Sequence, residues 1–395
     1  MYKNYQPLKK SEGIIKRNNS SLLSRYFREE CLTGWPVIKR GKGPYVYDYD
    51  GNKYVDFFLA SGSLVLGHSH PHLTSVLKSW VSRGYGSGYL TASLDLLARR
   101  VHSLIVRSAS SASSASSAHP AEFDRSLYIF AATPAEAALG ALALAARMGY
   151  TKAVRAVPGE GADRTFASSS LFEGVLNPLP VEVLDQADAD LVAVDPGLDG
   201  TAGECIVKIL NAKKKRGFLM ISDESGFRSH ALGRTVPSFT RAADVRIIGP
   251  WAAGGIPVSC AIVDKGVLES PRIERRMPSF EEMVERAGSL PLYLVKSALR
   301  GLDLIERSGG LEAILEKQRI FAAMLDERYF TTKGDFSFLK VGPHIYRELR
   351  TALLKKGFFL PPDSSKPLAL SLSHSGELLE KCARGLDLVL SAFDR

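Results

Sequence analysis

The chain has 395 residues, 45% hydrophobic and 24% charged, which excludes a disordered polymer and allows one large core with a smaller lobe. Its formal net charge of +9 raises a nucleic-acid reading. The densest basic cluster, Lys213 to Arg216, closes a helical stretch where cations complement the helix terminus, and no aromatic residue interleaves with it. The expectation is therefore no nucleic acid and, with no apolar run near the roughly 20 residues of a membrane span, no membrane.

Met1 to Asn19 is polar and lysine-rich, with no apolar signal core. Cys31, Cys205, Cys260 and Cys382 are scattered without CxxC spacing. They fit reduced thiols in a cytoplasmic protein. Asp50-Gly51 predicts a tight turn between two alternating strands. In His68, His70 and His72, alternate residues share a face, which raises a metal site. No acidic or cysteine cluster accompanies them, so the reading is a structural loop and no metal. Residues 108–118 form a serine–alanine repeat, read as a surface insertion.

The central third alternates. Strands are predicted at 127–131, 191–194, 217–222, 245–248 and 260–263, with helices at 135–149 and 204–216. That order specifies an α/β fold around a mostly parallel sheet. Functional groups in such sheets sit just beyond the strand ends, which singles out Thr133, Asp223 and Pro250. The last third carries helical spacing at 290–306, 311–329, 344–356 and 376–393, with strands at 358–360 and 368–372. It predicts a smaller C-terminal lobe.

Three separated blocks resemble one family. Asp48 to Asp56 matches D-x-D-G-x-x-Y-x-D, and Gly67 to Pro71 matches G-H-x-H-P. Asp223, Glu224, Gly226, Phe227 and Arg228 follow D-E-x-x-x-G-F-R with two residues fewer. Asp244, Gly249, Gly254, Gly255 and Pro257 follow P-D-x-x-x-x-G-K-x-x-x-G-G-x-P without gaps. This is the pattern of the class III aminotransferases, which depend on pyridoxal phosphate (PLP). The runs 353–361 and 370–381, the latter including His374, resemble glutamate-1-semialdehyde aminomutase in particular. The resemblance spans residues 36–395.

It implies a type I PLP-transferase fold: an N-terminal segment at 1–45 packing on the small lobe, a large domain at 46–285, and a small α+β lobe at 286–395. The family is dimeric, so a homodimer is expected, or a heteromer with an active relative. The family's lysine, which bonds the cofactor and moves the proton, aligns with Pro250, and proline has no side-chain amine. No lysine or histidine lies between Asp244 and Val263 to replace it. The phosphate loop S-G-T-E-A aligns with Thr133, Pro134, Ala135, Glu136 and Ala137, so one backbone donor and one hydroxyl are lost.

No Tyr-His-Gly stacking motif occurs around residues 158–161, and the family's threonine before G-N-P is missing near 288–291. Residues 361–365 replace a segment with phenylalanine and glutamate. Asp223, the family's partner of the pyridinium, is kept. Thr133, Ala135 and Asp223 are thus vestigial cofactor-binding candidates, with no catalytic residue. The expectation is a non-catalytic homologue, a scaffold or regulatory partner, without covalent PLP. A second reading is a PLP-independent binder or enzyme reusing the pocket for an anionic metabolite or amino sugar. A third is an active enzyme with a lysine from elsewhere.

Overall fold

The computed structural model describes residues 5–19, 34–84, 91–109, 126–157, 171–172, 175–196, 202–227, 231, 242–269 and 290–393. The chain begins with α1 (Lys9–Asn19), then β1 (Ile38–Lys42), β2 (Tyr45–Asp48), β3 (Lys53–Asp56), α2 (Pro71–Val81) and α3 (Ala92–Ala109). It continues through β4 (Ser126–Ala131), α4 (Pro134–Arg147), β5 (Ala153–Val157), β6 (Asn177–Pro180), β7 (Leu191–Val194) and α5 (Ala202–Arg216). Next come β8 (Leu219–Glu224), β9 (Val245–Ile248), β10 (Ser259–Asp264), α6 (Leu292–Arg307) and α7 (Gly310–Met324). The end is β11 (Phe330–Lys333), β12 (Phe336–Leu339), α8 (Pro343–Lys355), β13 (Phe358–Phe359) and α9 (Gly376–Phe393).

These elements divide into two units. One holds residues 1–61, 65–70 and 313–395; the other holds 62–64 and 71–312. In the second, seven strands pair in the order β4-β10-β9-β8-β7-β5-β6. β10 runs antiparallel to both β4 and β9, and the remaining pairs are parallel. Strand alternation sorts the side chains. Leu219, Ile221, Val245, Ile247 and Ala261 join Ala137, Ala141 and Leu144 of α4 in one core. Val192, Val194 and Met220 join Ile206, Ile209 and Ala212 of α5 in the other. Each fully buried aliphatic side chain is worth about 1.5–3 kcal/mol.

The first unit contains the sheet β1-β2-β3-β13. β3 pairs in parallel with β13, Val55 opposite Phe358, and Phe57 stacks on Phe321 with ring centroids 5.5 Å apart. Leu353, Leu370, Leu379 and Leu386 complete that core. Because β3 is tied to β13, residues 46–61 group with the C-terminal lobe, whereas the sequence boundaries drew them into the large domain. Residues 286–312 group with the large sheet for the converse reason: Val295, Ala298 and Leu302 of α6 are buried, and a Cβ on Gly301 would collide with the Ala253 carbonyl.

Other sequence expectations shift. The strand expected at 217–222 runs on through Asp223 and Glu224, which pair with Ile247 and Ile248. The helix expected to 329 ends at Met324, and the hairpin β11–β12 follows. Residues 368–372 form no strand. The N–H groups of Leu368, Ala369 and Leu372 instead donate to Ser337, Phe57 and Val65, three separate partners. Burial pushes the thiols of Cys260 and Cys382 up to about 12, which makes them inert. Among the described residues no helix is long and apolar enough to cross a membrane.

Candidate functional site

β4, β8 and β9 run in one direction, so Thr133, Asp223 and Pro250 emerge at the same edge of the large sheet. Each has a distinct local environment. Thr133 is the N-cap of α4: its side chain accepts from the Glu136 N–H at 3.2 Å. The Glu136 carboxylate reaches back to the N–H groups of Thr133 and Ala132, each at 3.1 Å. This capping box satisfies the helix start from within. Pro134, at the first helical position, contributes no N–H. Among the described residues, the Ala135 N–H is the first-turn donor left for anything outside the chain.

Asp223 is buried, at 2% exposure. One carboxylate oxygen accepts from the Leu171 N–H at 2.7 Å; the other accepts from the Ser225 hydroxyl at 2.6 Å and N–H at 3.2 Å. Burial, reinforced by the charge of Asp195, raises its pKa to about 6. Glu224 faces the opposite side of the sheet and takes two bonds from Arg246, at 2.8 and 2.6 Å. The Ser222 hydroxyl adds a third at 3.0 Å.

Pro250 opens a short 3-10 turn, Pro250–Ala253, directly after Gly249. A Cβ on Gly249 would collide with the Ser225 carbonyl, so the end of β9 lies hard against the loop after β8. Trp251, fully buried, donates its indole N–H to the Glu224 carbonyl at 3.0 Å and packs on Phe227. Gly254 and Gly255 close the turn at φ of +68° and +90°, a region glycine enters freely. Residue 250 thus sits on a rigid turn anchored through its neighbour.

The remaining motif residues have structural duties. Asp48 accepts from the Asn52 N–H and side-chain amide and from the Tyr54 hydroxyl, and closes the turn. Asp50 accepts from Lys10 and Ser11 at the start of α1. Asp56 accepts from the N–H groups of Phe58 and Leu59 and lies 2.7 Å from the His68 ring nitrogen. His374 is fully buried with Nδ1 on the Ser371 N–H; burial holds its pKa down near 4. Arg228, residues 158–161, 110–118 and 288–289, and Cys31 lie outside the described residues. Two surface clefts, about 310 and 270 Å³, lie elsewhere: one beside Lys213 and Asp244 at the opposite strand ends, one beside Trp80 and Arg300.

Sequence reasoning singled out Thr133, Asp223 and Pro250, and the structure brings them to one edge. It missed Ser225, Glu136 as the reciprocal cap, and Trp251. The T-x-x-E spacing from Thr133 to Glu136 was the available signal for the second; nothing in the sequence marked the others.

The model of the class III aminotransferase family matches residues 30–160. A curated relative, the glutamate-1-semialdehyde 2,1-aminomutase of Thermus thermophilus, is 26% identical over 397 aligned residues, covering 89% of this chain and 91% of its own. The chain is a homologue of the class III aminotransferases. The acetylornithine aminotransferase of Archaeoglobus fulgidus is 25% identical, covering 81% of this chain and 84% of its own. The fold agrees: a Pseudomonas aeruginosa glutamate-1-semialdehyde aminomutase solved with PMP superimposes with a TM-score of 0.70 at 15% identity, over 97% of this chain and 94% of that one. A transaminase solved with PLP bound superimposes with a TM-score of 0.70 at 19% identity, over 98% of each chain.

Proposed function

We propose that this class III homologue is non-catalytic and acts as a scaffold or regulatory partner, as a dimer of itself or with an active relative. What supports this is residue 250: the sequence motif, read without gaps, puts a proline at the family's lysine position, and that proline opens a turn packed through Gly249 and Trp251. A proline offers neither an amine to bond the cofactor nor a base to move its proton. The polar groups nearby do not fit PLP either. The first turn of α4 keeps the Ala135 N–H as an external donor, having lost one to Pro134. Both Asp223 oxygens already accept bonds, from Leu171 and Ser225, so a pyridinium N–H would have to share an oxygen that the chain itself occupies.

The test is a visible-absorption titration of the purified protein with PLP, together with an assay of amino transfer from glutamate 1-semialdehyde. The reading expects no lysine-bound cofactor band and no turnover; either would overturn it. Light scattering tests the assembly, and a monomer at micromolar concentration contradicts it.

One observation favours the second reading, a PLP-independent ligand in the old pocket. Asp223 has a pKa of about 6, which suits a carboxyl that exchanges a proton near neutral pH. Calorimetry with small anionic metabolites and amino sugars tests it, and saturable heat abolished by Asp223→Asn would support it over the scaffold.

A further inference from the structure

β1, β2 and β3 sort their charges by face. Asp48 and Asp50 are bonded to Asn52, Tyr54, Lys10 and Ser11 as described, so their charges are held by the chain itself. The opposite face carries Tyr45 and Tyr47 at alternate positions of β2, continued by Tyr49, whose N–H still pairs with Val37. Across the ladder, Arg40 lies opposite Tyr47, Lys42 opposite Tyr45 and Lys53 opposite Tyr47. A register shift between Ile38 and Arg40 turns Lys39 onto this face as well, its ammonium 5.9 Å from the Tyr49 ring. A bulge is the means by which two consecutive residues point the same way.

The result is a stripe of four cations threaded through three tyrosines. The Arg40 guanidinium stacks 3.6 Å from the Tyr47 ring and the Lys53 ammonium lies 3.6 Å from that of Tyr45. Tyr45 leans into the core of its unit, while Tyr49 is 43% exposed and Lys39, Arg40 and Lys42 are exposed. Among the described residues no carboxylate pairs with Lys39, Arg40 or Lys42. Alternate strand positions stand about 7 Å apart, a step comparable to that between the bases of an extended single strand. The exposed Tyr49 ring and the outer plane of the Arg40 guanidinium, carried on Tyr47 one alternate position away, each accept a stacked base, whereas the Tyr45 face is covered by Lys53; the ammonium groups answer the phosphates.

We infer that this face of the β1–β3 sheet is a docking surface for single-stranded nucleic acid. It belongs to the first unit and does not depend on the reading of residue 250. An acidic protein segment would use the cations but leave the tyrosines idle, so the aromatic spacing favours the nucleic acid.

Fluorescence anisotropy of the full chain with a labelled oligothymidylate, titrated across salt, tests the surface. The expected slope of log affinity against log salt is about −0.7 for each phosphate engaged, hence about −3 for the four cations. Lys39→Glu with Lys42→Glu should weaken binding at low salt at least about tenfold and flatten that slope. Tyr49→Ala should weaken it at least about fivefold with the slope unchanged, because stacking carries no counterion release. Lys214→Glu with Lys215→Glu, in the other basic cluster, should leave binding as it is. All five substituted residues are exposed, so folding is retained and circular dichroism checks it. No measurable binding at low salt overturns the inference. So does loss of binding in the Lys214/Lys215 variant alone, or binding that polyglutamate competes equally well and Tyr49→Ala does not change.

Discussion

Asp223→Asn should change how stability depends on pH, and the structure supplies the magnitude. The Asp223 carboxyl has a folded-state pKa of about 6 against 3.8 for an ordinary aspartate, raised by burial and then by Asp195. Its protonated form is therefore favoured on folding. The associated stability is complete below pH 3.8 and is lost as pH rises through 6. That displacement corresponds to about 3 kcal/mol. Asparagine removes the titration but turns an amide NH2 toward the Leu171 or Ser225 N–H, a pH-independent cost of about 1–3 kcal/mol. The stability of the variant relative to the wild type should therefore rise by about 3 kcal/mol between pH 4 and pH 8.

His374 works against Asp223 in the same range. Burial holds its pKa near 4, below the usual 6.5, so it removes stability as pH falls from 6.5 toward 4. The two contributions oppose each other in the wild-type curve, so only the difference between the two proteins isolates Asp223. Urea unfolding at a series of pH values, with midpoints converted to free energies, measures it. A difference that stays constant from pH 4 to pH 8 within about 0.5 kcal/mol would refute the reasoning.

Pro250→Lys alone should not give PLP binding or transamination, because two lost phosphate bonds at about 2 kcal/mol each weaken affinity about a thousandfold. Adding Ser, Gly and Thr at 133, 134 and 135 should bind PLP more tightly in a spectral titration. Arg246→Met should destabilise the protein by about 3–5 kcal/mol, since Glu224, 1% exposed, would keep an unpaired charge. Arg246→Met with Glu224→Leu should recover most of that loss in the same denaturation assay. Gly249→Ala should lower the melting temperature by several degrees through its collision with the Ser225 carbonyl, as scanning calorimetry would show.

The sequence placed β7 and β9 to the residue because both are short, fully apolar or nearly so, and flanked by polar breaks. It placed α9 equally well, since a long amphipathic run leaves little choice of phase. Residues 368–372 carry the same apolar signal as a strand, yet their backbone bonds scatter over three partners, a tertiary outcome that no local pattern records. The hairpin β11–β12 was hidden because its first strand, Phe330–Lys333, lies within reach of the preceding helical periodicity. At the site, the strand ends were enough to bring Thr133, Asp223 and Pro250 to one edge of the sheet. The self-capping of α4 and the anchoring of the 250 turn by Trp251 depend on side chains meeting across the sheet edge. The stripe on β1–β3 was likewise invisible, because the bulge that turns Lys39 is a property of the pairing and not of the residue.

The central claim is that residue 250 deprives this aminotransferase homologue of covalent cofactor chemistry. The direct measurement is borohydride reduction of the full-length protein after incubation with PLP, followed by peptide mass analysis. The account predicts no stoichiometrically pyridoxyl-modified lysine whose labelling an excess of substrate analogue prevents. A single stoichiometrically labelled lysine that such an analogue displaces would contradict it.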